Sequence, residues 1–173
     1  MIRAVHFVLL LALLTFALPR MIAADDGTGT QTRFIIVNRY IVLQGDGIIA
    51  FRSNFTVPMT VDRLRTLIEL KGMSIYADID HQLEAKRAGR TMGPMRLLLF
   101  GGPTTMTPLL PEAPTLGLDL PYTLLVYDLP GTGTVIAYDD PEWLAQRHGL
   151  NVETDEIRRI AGVLDEIVRA AGG

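Results

Sequence analysis

The chain has no cysteine among its 173 residues. That absence rules out disulfides, thiolate metal sites and cysteine nucleophiles together. Aromatic residues make up only 7 % of it, with a single tryptophan, Trp143, which is expected to anchor a core or an interface. Basic residues are too scattered for nucleic acid. The 16 Lys and Arg stand against 19 Asp and Glu, a net charge of −3, and such binding needs a basic surface that releases counterions. Also missing is any Gly-x-Ser-x-Gly, and Ser53 and Ser74 fall in or beside expected strands. Gly45-Asp46-Gly47 and Gly131-Thr132-Gly133 join strands instead of opening a helix, so neither is a phosphate loop.

What is present begins with a leader. Arg3 supplies a basic start, residues 7–18 an apolar run, and Ala23-Ala24 a small-residue cleavage site before Asp25-Asp26-Gly27. The run is too short to span a bilayer stably. Residues 1–24 are therefore read as a secretory signal peptide. Ile22 is large for its position and Arg20 lies close to the cut, which leaves an uncleaved anchor as the alternative. No later run is long enough for a second span, so no membrane association is expected after cleavage, and the destination is periplasmic or secreted. Cleavage would remove two arginines and no acid, taking the charge from −3 to −5. An exported domain without disulfides must be held by its core, and about 150 residues can bury roughly two-thirds of their unfolded surface as one domain.

Residues 25–32 read as a flexible polar leader and residues 33–173 as a single domain. A strand is expected over 34–43, a turn at Gly45-Asp46-Gly47 and a partner strand over 48–52, which Pro58 stops. Thr60 is then placed as the N-cap of a helix bearing Val61, Leu64, Leu67 and Ile68, closed by Lys71 and Gly72. A strand over 74–79 leads to a short helix over 80–88 before Gly89. The almost wholly apolar 95–100 reads as a central strand. The proline-rich stretch 104–121 is expected to hold one short helix, with Thr107 as cap and Pro108 first. Strands over 122–127 and 134–138 should form a hairpin around Pro130-Gly131-Thr132-Gly133. Ile157, Ile160, Ala161, Leu164, Ile167, Val168 and Ala171 form a helical stripe, with Asp155/Arg159 and Asp165/Arg169 paired on the other face. The fold class is α+β: one domain, a largely antiparallel sheet, two longer helices and two or three short ones.

With those elements placed, the chain resembles domain-of-unknown-function family 302 from about residue 48 to its end. The matching residues are Arg63-Leu64, Gly72, Ile79-Asp80-His81, Ala85, Phe100-Gly101-Gly102-Pro103, Thr107-Pro108-Leu109, Leu118-Asp119-Leu120-Pro121, Tyr138-Asp139-Asp140-Pro141 and Arg147-His148-Gly149-Leu150. The resemblance implies a small α+β domain, often exported and often a homodimer, with no established activity. Gly102 stands where the family commonly has Asn, Met106 where it often has Gly, and Pro111 in a segment usually free of proline. The 34–43 strand precedes the usual start of the domain.

Helix punctuation accounts for residues 140–149. Asp140 is an N-cap, Pro141 a first helical residue, Glu142 suits the positive end, Arg147 and His148 the negative end, and Gly149 the left-handed closing position. His81, just after the expected cap Asp80, lies where the helix dipole disfavours a cation, so a neutral ring could ligate metal or take a proton. His81 and Asp80 are thus the candidate catalytic pair, and His81 and His148 the candidate metal ligands. No two of these residues show a metal-ligand spacing, so no cofactor is expected and a bound metal depends wholly on tertiary contact. Asp80, His81, Phe100, Gly101, Gly102, Pro103 and Asp139 are expected to line one pocket for a small-molecule ligand, since they sit at strand ends and loops. The leading expectation is an exported, non-enzymatic binding or interaction domain that forms a homodimer. The alternative is a small enzyme using His81 as general base with a neighbouring Asp, or a metal-binding protein.

Overall fold

Period-2 and period-3.6 stretches alternate along the chain, and each becomes the matching element. The computed structural model describes residues 20–24, 32–37, 40–43 and 47–173. Its strands are β1 (Arg20–Ala24), β2 (Thr32–Val37), β3 (Tyr40–Leu43), β4 (Ile48–Arg52), β5 (Ser74–Asp80), β6 (Met95–Gly101), β7 (Tyr122–Leu129) and β8 (Gly133–Asp139). Its helices are α1 (Val57–Leu70), α2 (His81–Arg87), the single turn α3 (Pro103–Met106), α4 (Pro141–Arg147) and α5 (Asp155–Gly172), with a 3-10 turn at Pro114–Leu118. The strands form one sheet in the order β1-β2-β3-β4-β8-β7-β6-β5, and every neighbouring pair is antiparallel. The architecture is α+β in a single domain. Residues 1–19 of the expected signal peptide, 25–31 of the flexible leader and 44–46 of the first turn lie outside the described residues.

One face of the sheet carries the main core. Phe51, Leu98, Phe100, Leu124, Val126, Ile136 and Tyr138 meet Val57, Val61, Leu64 and Ile68 of α1 and Ile160, Leu164, Ile167, Val168 and Ala171 of α5. Both helices therefore lie on the same side. A second cluster joins Leu144, Ala145 and Leu150 to Ile157 and to Ala113 and Leu116 of the proline-rich stretch. A third, of Ala50, Val135 and Ala137 with Leu125 and Tyr127 against it, sits on the alternate residues of β4, β7 and β8.

The structure corrects several sequence expectations. Residues 34–43 are two strands, β2 and β3, paired through Val37↔Tyr40. In the sequence the polar pair Asn38-Arg39, which lies outside the described residues, interrupts the apolar run. Helix α1 begins at Val57 with Thr56 as N-cap, because Pro58 in the first turn loses no hydrogen bond and helps start the helix. Thr60 is instead fully buried, its hydroxyl bonded to that of Ser53 (2.8 Å). Thr107 ends a helical turn where it was expected to begin one, donating its hydroxyl to the Pro103 carbonyl (2.6 Å). The proline-rich stretch accordingly holds two short helical pieces. Strand β6 is flanked on both sides but lies next to the edge strand β5, not at the centre. On α5 Asp165 and Arg169 pair as expected, whereas Asp155 pairs with Arg158 and Arg159 with Glu156, each three residues apart.

Two glycines are set by close approach. A Cβ on Gly101 would lie 2.2 Å from the Met106 sulfur, and one on Gly47 would lie 2.2 Å from the Trp143 ring, at a left-handed φ of 64°. Trp143 thus caps the start of β4, while its other contacts are with the second cluster.

The two-helix core makes a direct prediction. Leu64 is 0 % exposed between α5 and the sheet, and Leu70, on the same helix, is 76 % exposed. Leu64→Ala should cost about 2–5 kcal/mol of unfolding free energy, against roughly 0.5 kcal/mol or less for Leu70→Ala. Urea denaturation of the two variants measures this, and equal midpoints would contradict the packing described.

Candidate functional site

The sheet register decides which candidate residues can meet. Asp80 ends β5 opposite Arg96 of β6. Asp139 ends β8 opposite Ile48, and continuing the register from Leu125↔Ala137 places it across from Thr123, which pairs with Leu99 of β6. Asp80 and Asp139 are therefore separated by three residues along the strands, roughly 10 Å, and by three strand spacings, roughly 14 Å. Gly101 is five residues from Arg96 on the same strand, roughly 17 Å away. The expected single pocket does not form. Asp80 and His81 occupy one end of the sheet, and Phe100–Pro103, Asp139 and His148 belong to the other.

At the first end, Asp80 caps α2, its carboxylate accepting from the Leu83 backbone N–H (2.9 Å). A second oxygen faces Arg96 at 3.8 Å. The candidate partner of His81 is thus engaged elsewhere, with backbone and guanidinium. His81 is the first residue of α2, as expected, and is half-buried. Beside it lies an open cleft of about 580 Å³ lined by Asp80, Leu83, Lys86, Arg90 and Met92 but not by His81. Its two cations make it suited to an anionic ligand.

The other end divides into buried glycine structure and a polar knot. Phe100 is fully buried, its ring 6.0 Å from that of Tyr122, and Gly101 and Gly102 are buried backbone. Pro103 is exposed at the start of α3. Thr105 closes that turn, its hydroxyl accepting from the Gly102 N–H (3.1 Å). Tyr122 donates its hydroxyl to the Thr105 carbonyl (2.7 Å). Burial, with Glu156 nearby, pushes the Tyr122 phenol up to about 12. Phe100, Gly101 and Gly102 thus shape the turn from within, and of the four residues expected here only Pro103 is exposed.

The knot brings together residues that sequence spacing did not connect. Asp140 caps α4 by accepting from the Glu142 N–H (2.9 Å), Pro141 follows it, and Gly149 takes φ 75° after the C-cap His148. This punctuation is as expected from the sequence. The side chains past the helix end do more. His148 Nε2 donates to Asp119 Oδ2 (2.5 Å), and Nδ1 lies 2.9 Å from the Thr115 hydroxyl. Arg147 donates to the other oxygen of Asp119 (3.2 Å) while its guanidinium lies over the Trp143 ring. The imidazole is only 5 % exposed and the Asp119 carboxylate 18 %, whereas Thr115 is exposed. A carboxylate only accepts, so Nε2 carries a proton toward Asp119, and Nδ1 can accept from the Thr115 hydroxyl whenever it carries none.

Sequence reasoning placed Asp119 in a motif and His148 in a helix cap but did not join them. Their separation of 29 residues carries no local signal. The one local feature is an acid flanked by Leu118 and Leu120. Among the described residues no group of three or more His, Asp or Glu is arranged to hold a metal ion. His81 and His148, the two candidate ligands, stand at opposite ends of the sheet.

Comparisons place these elements among known proteins. Residues 49–167 match the family described as domain of unknown function DUF302. Over 110 residues, 63 % of the chain, it is 36 % identical to the protein named fluoride-specific ion channel FluC 1 of Brucella suis biovar 1 (strain 1330). The same identity and length hold for the protein of that name from Brucella abortus biovar 1 (strain 9-941). The matched stretch makes up 43 % and 40 % of those proteins, so the chain spans less than half the length of these relatives. The crystal structure of an uncharacterized conserved DUF302 protein from Bacillus stearothermophilus aligns with a TM-score of 0.58 at 20 % identity. The alignment covers 73 % of this chain and 95 % of that one, so the two share a fold.

Asp139, beside the knot, supplies a pH test. Desolvation and then the charge of Asp119 raise its pKa above the ordinary carboxylate value, against the smaller opposing effects of Thr123 and Arg147. A carboxyl whose pKa is raised on folding contributes stability below its unfolded value that is lost as pH rises through the folded one. Asp139→Asn should therefore raise the melting temperature at neutral pH, with the gain shrinking as pH falls below the ordinary carboxyl value of 3.8. Thermal unfolding at both pH values checks this, and a variant less stable at neutral than at acid pH relative to wild type would refute it.

Proposed function

The chain belongs to the DUF302 family, and from that premise we propose that it is an exported ligand-binding or interaction domain serving ion transport across a membrane. The observation that carries the reading is the make-up of the Brucella relatives. In each, a stretch 36 % identical to this chain is joined in one polypeptide to a larger remainder, and the whole is named a fluoride-specific ion channel. No helix among the described residues of this chain is long and apolar enough to cross a membrane. The conducting part of such relatives is then expected in the remainder, with the matched stretch as an attached accessory. The matched stretch of this chain would supply the same accessory. The N-terminal leader would put it on the outer side of the membrane, and the Lys86/Arg90 cleft would be its site for an anionic ligand.

Deletion of the gene in its host tests the proposal. Loss of an accessory to fluoride transport should change intracellular fluoride several-fold when cells are challenged with the ion, read by a fluoride electrode on lysates, and re-expression should restore it. Equal fluoride content with and without the chain, across the range of challenge, would overturn the reading.

A further inference from the structure

The knot at the end of α4 has a composition that helix punctuation does not require. A cap needs His148 only near the last carbonyls, yet the imidazole is held at both nitrogens, by an acid on one side and a hydroxyl on the other. The three groups are graded in exposure. Asp119 and the ring are shielded, and Thr115 stands in solvent. Hydroxyl, imidazole and carboxylate in series, with the hydroxyl accessible, is the arrangement that activates an alcohol as a nucleophile. Here the ring is used in reverse order, Nδ1 toward the hydroxyl and Nε2 toward the acid.

We propose that Thr115 is a nucleophile for acyl transfer, with His148 as its general base, and that the site hydrolyses esters of small apolar acids. Thr115 Oγ adds to the ester carbonyl carbon as its proton passes to His148 Nδ1, giving an imidazolium that Asp119 stabilises through Nε2. The carbon–oxygen bond to the leaving alcohol then breaks, and the alkoxide takes the proton from Nδ1. Water attacks the threonyl ester and gives a proton to Nδ1. The bond to Oγ breaks, and the hydroxyl is regenerated. The net change is ester plus water to acid plus alcohol.

Substrate class follows from the neighbours of Thr115. The Pro114–Leu118 turn is 3-10, in which residues three apart lie on one face. Leu118, 81 % exposed, is therefore beside Thr115 and offers an apolar contact for a short acyl chain. This activity is independent of the transport role proposed above, and a negative fluoride result leaves it standing.

The test uses the full chain with p-nitrophenyl butyrate as substrate and an alkyl fluorophosphonate as trapping probe. The expected result is one phosphonyl group added, with loss of fluoride, mapped by peptide mass spectrometry to Thr115. Thr115→Ala should abolish the adduct and slow ester hydrolysis by about 100-fold or more. Thr115→Ser should retain both. His148→Gln should behave as Thr115→Ala, and circular dichroism shows whether it stays folded. If it does not, the exposed Thr115 variants carry the test alone. An adduct at any other residue, or a Thr115→Ala variant as active as wild type, would overturn the proposal.

Discussion

The fold depends on one constraint: α1 and α5 must both bury their stripes on the same face of the sheet. Leu64 and Ile68 from one helix and Ile160, Leu164 and Val168 from the other close over Leu98, Phe100, Leu124 and Ile136. The two helices also pack against each other, so each completes the other's burial. Polar ties then set the pair in register. Arg63 of α1 donates to the carbonyls of Ala170 and Ala171 at the end of α5, and Lys71 meets Glu166 (2.6 Å). The other elements are hung on this arrangement.

That geometry also separates the two ends of the molecule. Strands β5 to β8 run antiparallel in unbroken sequence through β6 and β7, so residues at the α2 end cannot approach residues at the α4 end without breaking the ladder. The second cluster, where Leu144, Leu150 and Ile157 meet Leu116, fastens the proline-rich stretch to α4 and α5. It brings Thr115 and Asp119 over the end of α4. Apolar packing thus sets the position, and the hydrogen bonds of His148 fix the orientation within it.

Much of this was legible in the residues. The α5 stripe, the β7–β8 hairpin, the Asp80 and Asp140 caps and the glycines after α2 and α4 are local signals, and each element formed where its signal lay. The failures were also local, where one residue type has two uses. Pro58 can stop a strand or begin a helix, and Thr107 can start a turn or end one. Grouping Asp80 with Asp139 failed for a different reason. Strand ends and loops occur at both ends of a sheet, and only the pairing register tells which end a residue occupies. The contact between Asp119 and His148 was beyond local reading, since nothing within either segment points to the other.

Two shielded carboxylates, Asp78 and Asp119, show why the knot differs from ordinary structure. Asp78, in β5 on the helix-bearing face, is held by Arg65 from α1 and by Arg96 from β6 (2.6 Å). Two permanent cations saturate it, and neither can give up a proton near neutral pH. Such a group ties a helix to an edge strand and can do nothing else. Asp119 has one guanidinium on one oxygen and an imidazole on the other. An imidazole can change charge in the physiological range, and its far nitrogen faces a hydroxyl in solvent. The first arrangement is closed on itself. The second runs on through an imidazole to a hydroxyl, and that difference in connectivity separates it from a structural ion pair.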